Sequence, residues 1–160
     1  MSNQSNKTVI GTDQAHCCFY LPTPPQLIES WHHLVEDAIA HLISQNGNHW
    51  RKIVTIMAKL MVNELDWRQY RDQQLLKQHE SIAIAAQSLQ STSTRHIICG
   101  KESAELLQLD INEFEPLEVN SPTILKHRHD AIYLCPYLDY RQFPNKQINL
   151  LRQSLGKPAL

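Results

Sequence analysis

The run Ala131 to Cys135, closed by Pro136 and followed by an amphipathic pattern that starts near Pro144, constrains the fold more than any other stretch. Ile132, Tyr133 and Leu134 offer no charged face, so the run reads as a strand covered on both sides. Pro136 lacks the amide that a sheet ladder needs and ends it. Pro144 suits the first turn of a helix, after which Ile148, Leu151 and Leu155 recur at three or four residues. Residues 130–152 are therefore strand, loop, helix. The loop holds Tyr137, Asp139, Tyr140 and Arg141, and loops beyond the carboxyl ends of parallel strands are where open α/β sheets bind ligands. Those four are the leading ligand-binding candidates. Within them, Asp139 and Arg141 are expected to shape the loop and Tyr137 or Tyr140 to face a ligand.

Upstream, Val9 to Gly11 suits a short edge strand and Cys17 to Leu21 an interior one, which ends at Pro22, Thr23, Pro24 and Pro25. Leu27, Trp31, Leu34, Val35, Ala38 and Leu42 share a helical stripe over 26–44. Asn46, Gly47 and Asn48 stop that helix, and Asn48 is placed to cap a second one through Met61. Asp66 to Arg71 reads as a polar bend before a third helix over 73–89, with Leu75, Leu76, Ile82, Ala83, Ala86 and Leu89 as its stripe. Ser91 to Thr94 is a linker. His96 to Cys99 is a buried strand, and Gly100 hands over tightly to a helix from Lys101 to Leu107. That turn adds Gly100 and Lys101 to the binding candidates. Thr23 joins them as a wall of the proline-rich exit from the earlier strand. Pro116 to Asn120 reads as one more strand, and Ser121 and Pro122 turn the chain towards the last one.

Strands alternating with helices give an α/β domain, three-layer α/β/α with a short, mainly parallel sheet. Residues 1–8 are polar and expected to be flexible, and 9–160 form a single α/β domain. Phe19, Ile98 and Ile132 should lie on central strands, with Thr23, Gly100 and Tyr137 on one rim.

Composition narrows the partners. The formal charge of −1 gives no global basic field to draw the chain onto nucleic acid or an anionic membrane. A local strip is still available from Arg51, Lys52 and Lys59 on one helix and from Arg141, Lys146 and Arg152 around the last loop. No apolar run approaches a bilayer span and the N-terminus has no signal-peptide core, so a cytoplasmic protein with no membrane partner is expected. Cys17, Cys18, Cys99 and Cys135 fall in or beside strands with no CxxC spacing and are expected as small buried side chains. His127 and His129 would share a strand face, but no third ligand is nominated, so no metal and no cofactor is expected.

Several blocks carry a family resemblance. HIICGKESAELL, residues 96–107, resembles the strand, glycine and helix block of the uracil-DNA glycosylase superfamily. AIYLCPYLDYR, residues 131–141, sits where that family has its last strand and a histidine, proline, serine loop. NGNHWRKIVTIMAKL, residues 46–60, is similar to the early helix of the mismatch-specific branch, and YLPTPP occupies the place of the first catalytic loop. The resemblance covers nearly the whole chain through the order and spacing of its pieces. It implies a pocket for a nucleotide or nucleic acid. The departures lie in the catalytic positions. The family's water-activating Asp or Asn has no counterpart among Pro22, Thr23, Pro24 and Pro25. The histidine's place is taken by Tyr137 or its neighbours, and the serine's by Asp139. Base excision is therefore not expected. The alternatives are a non-enzymatic interaction module of the same architecture, as a homodimer, and an enzyme that pairs Asp139 with a histidine as acid and base.

Overall fold

A computed structural model describes residues 8–64 and 66–160. The expected flexibility of residues 1–8 falls almost wholly outside that range. Strands β1 (Val9–Gly11) and β2 (Cys17–Leu21) come first, then helices α1 (Ala38–Asn46), α2 (Asn48–Met61) and α3 (Trp67–Gln73). Strand β3 (Glu80–Ile84), strand β4 (Arg95–Cys99) and helix α4 (Lys101–Leu107) follow. A 3-10 turn at Ile111–Glu113 leads into β5 (Phe114–Glu118), β6 (Ser121–His127), β7 (Ile132–Cys135) and helix α5 (Asn145–Ser154).

The described strands form one seven-stranded sheet in the order β1-β3-β2-β4-β7-β6-β5. The inner four, β3, β2, β4 and β7, are parallel. β1 joins β3 antiparallel at one edge, and the β5–β6 hairpin joins β7 antiparallel at the other. The sheet is thus mixed, and the expected mainly parallel sheet is confined to its centre. Antiparallel strands need only a tight turn, and the two-residue link between β5 and β6 supplies one. Phe19, Ile98 and Ile132 do lie on inner strands. The parallel register Tyr20↔Ile98 and Cys99↔Cys135 carries Thr23, Gly100 and Tyr137 to the same rim.

Alternation along β2 separates two cores. Cys17, Phe19 and Leu21 face α1, α2, α3 and α5 in a large cluster with Leu42, Ile53, Met57 and Leu151. Cys18 and Tyr20 face the other way, towards Ala83, Ile98, Leu107, Phe114 and Ile132. All four cysteines are buried and free, and burial pushes each thiol up, so they act as small apolar groups.

Several sequence expectations are corrected. The helix expected over 26–44 forms only from Ala38. Upstream, the side chain of Asn46 accepts from Gln26 N and donates to Gln26 O, and Gln45 Oε1 accepts from Ile28 N, so α1's own side chains hold the start of this segment, while isolated turns follow with Trp31 N donating to Ile28 O and Val35 N to His32 O. Leu34 and Val35 consequently lie exposed, not on a buried stripe. Asn48 is the first residue of α2, while Gly47, at φ 75°, caps it and also ends α1 by donating to Ile43 O.

The largest correction concerns 66–89. Asp66 caps α3 by accepting from Gln69 N, so the expected bend is a helix. The expected third helix is instead the interior strand β3, buried at every position. A short apolar run buried on both faces has no period of its own, and the alanines around Ile82 and Ile84 mimic helix-forming sequence. Lastly, β5 starts at Phe114, two residues before the strand expected at Pro116, and the lead-in after Ser121 is itself a strand.

Arg152 is fully buried and so forms no part of a surface strip. Its Nη1 donates to Lys59 O at 2.8 Å and Val62 O at 2.7 Å, and its Nε to Pro158 O at 2.7 Å.

Candidate functional site

Gly100 and the loop after β7 meet on the rim where the parallel strands end. Gly100 has φ 96° and ψ 164°, a conformation that side-chain-bearing residues avoid. A Cβ there would lie 3.3 Å from Tyr137 Cδ1. Gly100→Ala is therefore expected to cost about 1–3 kcal/mol of stability, the scale of a strained backbone position. Urea denaturation checks this, and an unchanged midpoint would contradict it.

Tyr137 is held on both sides. Its ring stacks on that of His49, in the first turn of α2, at 5.7 Å and 27°, and its hydroxyl shares a 2.8 Å hydrogen bond with His49 Nε2. Burial, with the nearby Cys99, Asp139 and Glu102, pushes its hydroxyl up to about 12, so it stays neutral. With its ring packed between His49 and Gly100, Tyr137 is a structural post of the rim. Tyr140 is the exposed ring, at 42%.

Asp139 shapes the loop in the expected way. Its Oδ1 accepts from Arg141 N at 2.9 Å, its carbonyl accepts from Gln142 N and Phe143 N, and its Oδ2 lies 3.5 Å from Lys52 Nζ of α2. The Arg141 amide, then Lys52, holds its carboxyl below the usual range. Among the described residues no hydrogen bond joins Asp139 to a histidine, so the expected acid–base pair is not assembled. Arg141 is exposed, and its guanidinium adds to the field on Asp139.

Thr23 is exposed on the same rim, but among the described residues no hydrogen bond or ion pair joins it to this group. Lys101 lies on the α4 side, nearly free in solvent, 4.0 Å from Glu105. His127 ends β6, and its Nδ1 accepts from His129 N and Asp130 N, which commits the ring to the turn. Among the described residues no group of three His, Cys, Asp or Glu is placed to hold a metal.

Sequence reasoning missed a cationic and aromatic surface beside the loop. Lys59 Nζ lies 5.0 Å from the Trp67 ring and 5.6 Å from the Tyr140 ring, and hydrogen-bonds Asn145 Oδ1. The guanidinium carbons of Arg68 and Arg71 lie 4.4 and 5.5 Å from the same indole. Arg71 also donates to Thr55 Oγ1 and pairs with Asp72, while burial and Arg68 lower the Lys59 ammonium. Lys52 and Lys59 lie seven residues apart on one stripe of α2, as the sequence allowed. The signal for the rest was present in Asp66 to Arg71, where two aromatics alternate with two arginines.

This arrangement can stack a flat group and neutralise an anion beside it. Residues 8–156 match the model of a family described as a family of unknown function, DUF6942, and the chain belongs to that family. No curated protein and no solved structure matches the chain.

Proposed function

We propose that the chain is a three-layer α/β/α, uracil-DNA glycosylase-like domain that binds single-stranded nucleic acid and does not excise bases. The observation that carries this reading is the Lys59 ammonium set between the Trp67 and Tyr140 rings, with Arg68 over the same indole. Rings interleaved with cations suit unpaired bases, which stack, and their phosphates, which pair with cations. Arg141, exposed in the same loop, adds positive charge, while Lys52 is taken up by Asp139. The layered reading is supported by helices that feed the core on one face of the sheet while α4 packs on the other. The loss of excision is supported by the first loop, whose Pro22, Thr23, Pro24 and Pro25 contain no carboxylate or amide side chain.

Fluorescence anisotropy with labelled single-stranded and duplex DNA at two salt concentrations tests the proposal. Single strands should bind more tightly than duplex, and affinity should fall as salt rises. Tyr140→Ala should weaken binding by about tenfold, in line with the ~1–3 kcal/mol of a stacked base, and leave the melting temperature near that of the parent. Uracil-containing strands should bind and release no uracil. No binding at low salt would sink the reading.

The exposed apolar side chains Ile28, Leu34 and Val35 favour a second reading, a homodimeric interaction module without nucleic acid. Sedimentation of the same protein over a range of concentrations separates the two.

A further inference from the structure

On the α4 side of Tyr137, away from the Trp67 surface, a cleft of about 270 Å³ opens between α4, β6, β7 and the loop beyond β7. We propose that it binds a small aromatic monoanion, with the ring in the cleft and the negative charge on Lys101. The inference does not depend on nucleic-acid binding.

The walls are apolar and come from separate elements: Ala104 from α4, Leu125 from β6, Leu134 from β7, and Pro136 and Tyr137 from the loop. Ile111, 60% exposed, adds one more apolar side chain at the rim of the cleft. Such walls bind an apolar body through burial, and the volume lies below the ~300–1,000 Å³ of most ligand sites, which suits one ring system. The charge of the lining decides the sign of the ligand. Among the described residues Lys101 is the one charged residue of the lining and no carboxylate belongs to it, although Glu105 stands 4.0 Å from the Lys101 ammonium outside the cleft. That ammonium, 89% exposed, is free to turn onto an anion at little cost. Among the polar liners, the Thr123 hydroxyl is already committed to Gln147 Oε1 at 2.6 Å. Gln142, whose backbone N–H bonds Asp139 O, has no side-chain hydrogen bond among the described residues and can meet a polar ring edge. Gly100 makes the site possible, because its missing side chain lets the Tyr137 ring close one end.

The test titrates full-length protein, labelled with ¹⁵N, with benzoate, benzamide and benzylamine, three rings of one size that differ in charge. Benzoate is expected to shift the amides of Gly100, Lys101, Ala104, Leu125 and Leu134 saturably. Its affinity should exceed that of benzamide by about two- to fivefold, the scale of an exposed ion pair, and benzylamine should bind most weakly. Lys101→Ala should remove the preference for benzoate and leave benzamide unchanged. Ile111→Glu, at an exposed position that spares the fold, should weaken benzoate more than benzamide. Shifts scattered over the surface, equal affinity for the three probes, or a benzoate preference that survives Lys101→Ala would each overturn the proposal.

Discussion

Arg152→Ala is expected to lower the free energy of unfolding by about 2–4 kcal/mol. Lys59 and Val62 lie at the end of α2, where the last helical carbonyls lack intrahelical partners and carry the negative end of the helix dipole. The Arg152 guanidinium serves both and also fixes Pro158 O, tying the chain after α5 to the end of α2. Truncation strips donors from three carbonyls, each worth ~1–3 kcal/mol when left unsatisfied in the interior. Relief of the buried charge offsets part of that, which keeps the net below the sum. The Nη2 atom, buried and without a hydrogen-bond partner in the described structure, adds to the relief. Arg152→Lys should fall between the two, because one ammonium cannot reproduce a planar fork that spans separate acceptors. Denaturant titration followed by circular dichroism reads all three proteins. A change for Arg152→Ala within about 0.5 kcal/mol, the scale of an ordinary surface substitution, would refute this role.

Glu80→Leu is expected to be comparably damaging, by about 2–4 kcal/mol, through two buried donors that lose one acceptor. Glu80 is fully buried at the start of β3, where its Oε1 accepts from Leu76 N at 2.9 Å and its Oε2 accepts from the Tyr70 hydroxyl. Burial raises its carboxyl above the ordinary 4.5, although the two hydrogen bonds, His79 and Lys157 pull the other way. The folded state therefore holds this proton more tightly than the unfolded chain. The stability linked to this group is fully present below about 4.5 and is lost as the pH rises through the folded value. Glu80→Gln removes the titration with little change of shape. Its stability relative to the parent should accordingly climb as the pH rises from about 4.5, then level off. Urea midpoints for both proteins at several pH values measure that difference, and a flat or falling difference would contradict the sign.

The two edges of the chain's legibility are clearest at β3 and β7. Both are short apolar strands in the sheet interior, yet only β7 could be read locally, because Pro136 closes it and a proline-started helix follows. β3 has no such punctuation. Its apolar residues satisfy a helical stripe as well as a buried strand, and only the neighbouring β1 and β2, which supply its ladder on both sides, select the strand. The same holds at the start of 26–37, where Gln45 and Asn46 bond the backbone of Ile28 and Gln26 that a helical pattern would have used.

By itself, the sequence determined the β4–Gly100–α4 and β7–loop–α5 units, the burial of the four cysteines and the loop-shaping part of Asp139. Each of these rests on neighbours within a few residues: a proline, a positive-φ glycine, or a carboxylate two residues before the amide it accepts. The tertiary structure alone decided that Tyr137 is packed and Tyr140 is open, that Arg152 is interior, and that Trp67 and Arg68 stand beside Lys59. Those outcomes depend on α2, α3 and the last loop meeting across the fold, and hydrophobic periodicity says which face of a helix is buried without saying which partner buries it.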